Sequence, residues 1–350
     1  MRSFMIRARA AAHLFLMAFC LIRAEAVGEE PAGFRHLLTL PLDYDPQAKR
    51  SPYGEGCPQD VAFSPDGKIL AAAFNDKGVW LFDLPSGRVR ATFKLGDAFF
   101  VTFSPDGKLL AHTGPGPLWD VANSRPKPWE PPRSATSAAF SPDGKSLAVG
   151  TYREPFHLCE VATGKSARKF DIYAGTDPHL DRGLYKPRVA AFAFSPDGKT
   201  LAAQIHFYED ELRIFDHMQI WDLETGKLKA SFEGSGGLFT PGGETLVCGL
   251  NGQIKLRSAK TFEETATIAG ETKLAEGYWS RMALSPDGKT LAASAADHSV
   301  QLWNLPDRKL IGVLQGHTKW ITSLAISADG KRIVSSSEDG SIRLWTQGTP

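Results

Sequence analysis

His206 and His217 bracket an acidic run, Glu209-Asp210-Glu211. Imidazole and carboxylate groups ligate divalent cations, so this is the stretch where a metal would be sought. The two histidines pair only loosely across a hairpin, and no other pair of histidines stands at zinc-ligand spacing. An acidic run of this length reads as a solvated loop tip. Asp43-Tyr44-Asp45 lacks the glycine and the distal glutamate of a calcium loop. The chain has no Cys-x-x-Cys-His for covalent haem, no glycine-rich phosphate loop opening a helix, and no Gly-x-Ser-x-Gly elbow. No catalytic residue, cofactor or metal site is expected.

The elements that would position any site come from a repeat. Ser-Pro-Asp-Gly-Lys begins at Ser64, Ser104, Ser141, Ser195 and Ser285, and two altered copies begin at Thr240 and Ser327. The seven copies are 40, 37, 54, 45, 45 and 42 residues apart. A period near 40 means one supersecondary unit used again and again. In the turn itself proline presets φ, aspartate bonds its own backbone and glycine accepts positive φ. Around the sixth copy Trp279–Leu284, Leu291–Ser294, Val300–Trp303 and Leu310–Leu314 are four short apolar runs separated by turns. Four such runs make an antiparallel meander. One four-stranded sheet cannot bury both faces, whereas seven packed around an axis can.

Phe63-Ser64-Pro65-Asp66-Gly67-Lys68, the pair Trp221-Asp222, and Gly316-His317 with Asp339-Gly340-Ser341-Ile342-Arg343-Leu344-Trp345 resemble the WD-repeat β-propellers. The resemblance covers roughly residues 34–346 and is kept best in the last repeat. It implies an all-β fold: a seven-bladed propeller of four-stranded antiparallel blades. It also implies a buried hydrogen-bonded set of His317, Ser335, Asp339 and Trp345, and a non-catalytic scaffold that binds protein partners. Arg257-Ser258 and Cys159-Glu160 depart from the Trp-Asp pattern in the fifth and third repeats. The last repeat runs out after its third strand, and an orphan strand, Phe34 to Leu40, precedes the first. That N-terminal strand is expected to close the last blade and remove an unpaired edge.

The first 26 residues read differently. Arg2, Arg7 and Arg9 precede an apolar run from Ala10 to Ile22, followed by Ala24-Glu25-Ala26. This is the pattern of a secretory signal peptide cleaved after Ala26, with retention as an N-terminal anchor, or lipidation at Cys20, as the alternatives. Residues 27–350 then form a single propeller domain, and the resemblance becomes one to an exported, bacterial, periplasmic or secreted type. Cleavage takes four Arg and one Glu from 40 basic and 39 acidic residues, leaving 36 and 38. Such a balance offers no footprint for nucleic acid, and no further segment could span a membrane. Cys57, Cys159 and Cys248 fall in non-neighbouring repeats and suggest no disulfide framework.

Insertions point to a binding face. Turns within Ser-Pro-Asp-Gly hairpins are uniform, while the opposite face carries Asp43 to Pro58, Asn123 to Arg133, Asp171 to Pro187, Tyr208 to Asp216 and Gly270 to Gly277. Loops on a rigid scaffold usually carry function. Tyr173, Arg182, Tyr185 and Tyr208 flank the fourth repeat and are the candidate partner-binding residues, because Tyr and Arg most often anchor interfaces. Two alternatives stand beside the scaffold. One is a lactonase or other hydrolase acting in the axial channel. The other is a glycan or small-ligand binder using Trp279, Tyr278 and Trp320. The residues expected to open the innermost strands, Gln59, Ala98, Ala135, Arg188, Gly236, Trp279 and Trp320, are poor in metal ligands.

Overall fold

The computed structural model describes residues 33–40, 56–93, 97–113, 118–127, 135–176, 186–208, 214–270, 273–275 and 281–347. The expected signal peptide, Cys20, Arg182, Tyr185, Tyr278 and Trp279 lie outside these residues, as does half or more of each insertion.

Strand β1, Phe34–Leu40, comes first and joins the last sheet. Blade 1 is β2 (Pro58–Phe63), β3 (Ile69–Phe74), β4 (Gly78–Asp83) and β5 (Arg88–Phe93). Blade 2 is β6 (Val101–Phe103), β7 (Leu109–His112), β8 (Leu118–Asp120) and β9 (Arg125–Pro126). Blade 3 is β10 (Ala135–Phe140), β11 (Ser146–Thr151), β12 (Phe156–Glu160) and β13 (Ser166–Phe170). Blade 4 is β14 (Lys186–Phe194), β15 (Thr200–Tyr208), β16 (Ile214–Asp222) and β17 (Leu228–Glu233). Blade 5 is β18 (Ser235–Phe239), β19 (Thr245–Leu250), β20 (Gln253–Ser258) and β21 (Glu264–Ile268). Blade 6 is β22 (Met282–Leu284), β23 (Thr290–Ser294), β24 (Val300–Asn304) and β25 (Lys309–Leu314). Blade 7 is β26 (Ile321–Ile326), β27 (Arg332–Ser337) and β28 (Ile342–Gln347), completed by β1. The fold is a seven-bladed all-β propeller closed by its N-terminal strand.

The repeated tetrapeptide has a local cause. In the first turn Ser64 Oγ donates to Asp66 Oδ1 at 2.7 Å, and the Lys68 N–H donates to the same oxygen at 3.0 Å. Ser64 Oγ also accepts the Ile69 N–H at 2.9 Å, which starts the second strand. Gly67 holds φ at 67°, a region that a Cβ disfavours. The Ser–Asp bond recurs at Ser104, Ser141, Ser195, Ser285 and Ser327. In blade 5, where Gly242 replaces aspartate, Thr240 Oγ1 still accepts the Thr245 N–H at 3.2 Å. The Ser64 hydroxyl and the Lys68 N–H hold the Asp66 carboxyl below the usual range.

Between blades the core is apolar. Leu70, Leu81, Leu110, Leu147, Leu201 and Ile205 are fully buried. Closure buries Leu38 and Leu40 of β1 with Leu344 and Ile342, and Phe34 with Trp345. The seam between blades 7 and 1 is also bonded. Thr322 Oγ1 donates to the Pro58 carbonyl at 2.6 Å, and Arg332 Nη1 donates to the Gly67 carbonyl at 2.8 Å. Cys57, Cys159 and Cys248 are all buried and form no disulfide. Among the described residues no helix is long and apolar enough to cross a membrane.

Candidate functional site

Blade 4 is taller than the rest of the ring. Its three inner strands run nine residues each, against six or fewer in every other blade. Three extra residues per strand lift it about 10 Å on the insertion-bearing face. The stretch Tyr208 to Asp216, expected as a loop, is therefore partly strand: β15 continues through Tyr208 and β16 begins at Ile214. Pairing explains this, because every residue from Thr200 to Tyr208 has a partner on β16.

Strand alternation gives the tall blade two faces. Leu201, Ala203, Ile205 and Phe207 pack toward blade 3 with Phe156, Phe170 and Trp221. Blade 3 presses close here: a Cβ on Gly150 would lie 2.7 Å from Val189 Cβ. The other face carries a buried polar row. Arg188 pairs with His206, and His206 with Asp216, across β14, β15 and β16. His206 Nδ1 is hydrogen-bonded to Asp216 Oδ1. Gln204 Oε1 accepts the Gly236 N–H of blade 5 at 2.9 Å. Burial pushes the His206 imidazole down against the pull of Asp216, and the Arg188 and Arg281 charges add to the push. His206 is neutral at physiological pH as a result. His217 points to the opposite face, onto Ser231 Oγ and beside the Phe207 ring. The two histidines cannot share an ion. Among the described residues no group of three or more His, Cys, Asp or Glu comes together as a metal site.

The partner-binding candidates divide between these faces. Tyr173 is half-buried, its ring 6.0 Å from that of Phe207. Tyr208 is half-buried on the other face, 6.2 Å from the His206 ring. The exposed aromatics nearby are Phe215, 50% exposed opposite Phe207, and Tyr152, 39% exposed opposite Arg188. The Arg153 guanidinium lies 5.1 Å from the centre of the Tyr152 ring. Of the glycan-binding candidates, Trp320 meets the His298 ring edge-on at 4.9 Å.

The last-blade residues form one chain of hydrogen bonds. His317 Nδ1 bonds Asp339 Oδ2 at 2.8 Å, His317 Nε2 bonds Ser335 Oγ at 2.8 Å, and Trp345 Nε1 donates to Ser335 Oγ at 3.3 Å. Burial raises the Asp339 carboxyl, but bonds from His317, Ser341 and the Thr318 N–H more than offset it and hold it well below the usual range. Blades 4 and 6 solve the same problem with a glutamine two residues before the tryptophan, hence on the same strand face. Trp221 Nε1 donates to Gln219 Oε1 at 3.2 Å, and Trp303 Nε1 to Gln301 Oε1 at 3.1 Å. Gln219 Nε2 also donates to the carbonyls of Ile172 at 3.0 Å and Ala174 at 2.7 Å, gripping the connection into blade 4.

The channel wall differs from the sequence expectation. Of the residues four places before each turn Ser or Thr, Asp60 lines the channel, whereas Phe100 is buried in the core between blades 2 and 3. Counting alternate residues back from the first turn would have found Asp60, where Gln59 was expected; Ala98, also expected there, is fully buried in the core. Bulges in β2, β10, β14, β18 and β26 re-aim side chains near this level. Several stitch one blade to the next. Asp60 Oδ2 accepts the Val101 N–H at 2.9 Å, Thr136 Oγ1 donates to the Val189 carbonyl at 2.7 Å, and Arg281 Nε donates to the Thr322 carbonyl at 2.6 Å.

Comparison with known proteins gives the repeat a name. Residues 53–83, 276–304 and 308–346 match the family "WD domain, G-beta repeat". The chain is 23% identical over 265 residues to Autophagy-related protein 16 of Arabidopsis thaliana, covering 74% of this chain and 41% of that protein. It is 43% identical over 47 residues to the General transcriptional corepressor TUP1 of Saccharomyces cerevisiae, 13% of this chain and 7% of that protein. The chain thus spans about two fifths of the first relative and under a tenth of the second. Three of its repeats are thus similar to the WD repeat, and seven four-stranded blades closed by β1 make the fold a seven-bladed β-propeller.

Proposed function

We propose that this propeller is a non-catalytic protein-interaction scaffold, and that its partner meets the tall fourth blade. The observation that carries this reading is the nine-residue height of β14, β15 and β16, which sets Phe215 and Tyr208 on a rigid rise above the ring, with Tyr152 of blade 3 bridged to Arg188 beside it. Rigid aromatics give contact area at modest entropy cost, and guanidinium groups beside them are common anchors. The inner-ring hydroxyls and the Asp60 carboxylate are engaged in blade-to-blade bonds, which suits a structural ring better than a reaction centre. Arg182 and Tyr185, which lie outside the described residues, remain candidates for the same contact. The scaffold works outside the cytoplasm, with residues 1–26 removed as a signal peptide. The Arg-rich start, the apolar run and Ala24-Glu25-Ala26 support this.

Capture from an envelope fraction tests the interface, with the retained protein identified and remeasured purified. Tyr208→Ala with Phe215→Ala should weaken binding by about 1–3 kcal/mol per anchor, with the unfolding transition unchanged. Undiminished binding, with loss instead on mutating the Lys145 and Lys199 turns, would reject the assignment. Amino-terminal sequencing tests export: the native protein should begin at Val27, and an intact Met1 in the cytoplasm would reject it.

A further inference from the structure

The turn-side half of the axial channel holds an open-mouthed cavity of about 430 Å³. Small-ligand sites span roughly 300–1,000 Å³. Its wall is part polar and part apolar, the apolar part formed by Ala62, Ala139 and Ala325 from three blades with Phe63, Phe192 and Ile326 beside them. The polar side chains on the wall are Ser64 at the rim, Thr102 and Asp60. Asp60 lies four residues before Ser64, so it sits about 13 Å down the strand from the turn.

The carboxylate is held rigidly. Asp60 Oδ1 accepts the Val61 N–H at 2.9 Å and the Ser323 hydroxyl at 2.6 Å, while Oδ2 accepts the Val101 N–H at 2.9 Å. A carboxylate offers about four acceptor positions, so capacity is left on Oδ2. Asp60 keeps partial accessibility although protein surrounds it. A carboxylate removed from bulk water is costly unless a cation meets it. Burial pushes its carboxyl up in spite of the three bonds and the Arg281 charge, so the charge is incompletely compensated.

We propose that the axial cavity is a binding site for small amines with an apolar body. The ammonium group bonds Asp60 Oδ2 and the Thr102 hydroxyl, and the hydrocarbon fills the alanine-lined funnel toward the turn face. An apolar body alone would gain only the displacement of water from the wall. The ammonium adds a charge-assisted hydrogen bond to a carboxylate surrounded by protein, where such bonds are stronger than in open water. The site lies on the opposite face from the tall-blade surface and does not depend on it.

Titration calorimetry on the mature protein tests this with 4-phenylbutylamine and its uncharged counterpart 4-phenylbutanol. The amine should bind saturably at one site, and the alcohol at least about tenfold more weakly. Asp60→Asn should bring the amine down to the level of the alcohol. Ala139→Phe, which fills the cavity and leaves Asp60 in place, should abolish binding of both. Equal affinity for amine and alcohol, no saturable heat with the amine, or unchanged amine affinity in Ala139→Phe would each overturn the proposal. If Asp60→Asn loses the unfolding transition of the wild type, the amine–alcohol difference and Ala139→Phe decide the matter without it.

Discussion

The Thr322 hydroxyl donates to the carbonyl oxygen of Pro58 at 2.6 Å, joining residues 264 apart in the chain. Beside it Ser323 Oγ reaches Asp60 at 2.6 Å, so two hydroxyls of β26 fasten the last blade to the first near the axis. At the rim the same blade is completed by β1.

Removal of residues 27–40 should therefore cost more than a surface strand would. Phe34, Leu38 and Leu40 are all buried, and their loss also uncovers Trp345, Leu344 and Ile342. At about 1.5–3 kcal/mol per large apolar side chain, the expected loss is about 5 kcal/mol or more. Urea unfolding measures it, and an unchanged midpoint would exclude a closing role for β1.

Trp345→Phe should destabilise by about 1–3 kcal/mol, because Ser335 loses a buried donor. A double-mutant cycle with Ser335→Ala isolates the bond, and a coupling energy near zero would show that only ring packing matters. Trp80→Phe should cost less. Its ring packs against Phe74 at 5.5 Å and Phe82 at 6.2 Å, and in the repeat Phe82, not Trp80, occupies the position equivalent to Trp345.

Gln219→Ala should cost about 2–4 kcal/mol. It strips Trp221 of its acceptor and frees the carbonyls of Ile172 and Ala174. Limited proteolysis should then cut near residues 171–176 before the rest of the ring. A cleavage pattern unchanged from wild type would show that the connection is held by other contacts.

Acid should act in two stages. His206 has a lowered pKa, so its neutral form is favoured in the folded state. That contribution is present above the ordinary histidine value near pH 6.5 and is lost as pH falls below it. Asp339 is also lowered, so its contribution is present above the ordinary aspartate value near pH 3.9 and fades below that. Stability measured against pH should decline first below about pH 6.5 and again below about pH 4. Asp339→Asn should make only the second limb shallower, because turn carboxyls such as Asp66 are lowered too, and loss of the first limb in that variant would contradict the assignment.

Much of the architecture was readable because one turn recurs. Each Ser-Pro-Asp-Gly copy marks a hairpin whose bonds are local, and local bonds are what short motifs encode. The strand Phe34 to Leu40 was readable for the same reason, as an apolar run without a repeat of its own. The height of blade 4 was not, because Phe207, Tyr208 and Phe215 extend a hairpin by cross-strand pairing, which no periodicity over a few residues announces. The tryptophan acceptors were hidden too. Gln219 and Gln301 take over the indole N–H from the nearest strand position, a substitution visible only once alternation is combined with burial. Asp60 was passed over by one residue: the bulge at Gln59 shifts which side chain meets the axis. Tyr173 and Tyr208 are close in sequence to the same blade, yet the Phe207–Tyr208 alternation sends them to different sides of it.

The pairing of Phe34 with Gln347 and of Leu40 with Ile342 also governs the order in which the molecule can be finished. The first strand to be made has to wait for the last. Until β28 is present, Leu38, Leu40 and Phe34 have no sheet to enter, and blade 1 presents an uncovered flank. Contacts between the two ends of a chain are slow to form, because a long loop must close before they are rewarded. Every other blade can assemble from about 40 neighbouring residues, so a nearly complete but open arc is the natural last intermediate. Refolding should show early strand formation and a later, slower burial of Trp345 as the ring shuts.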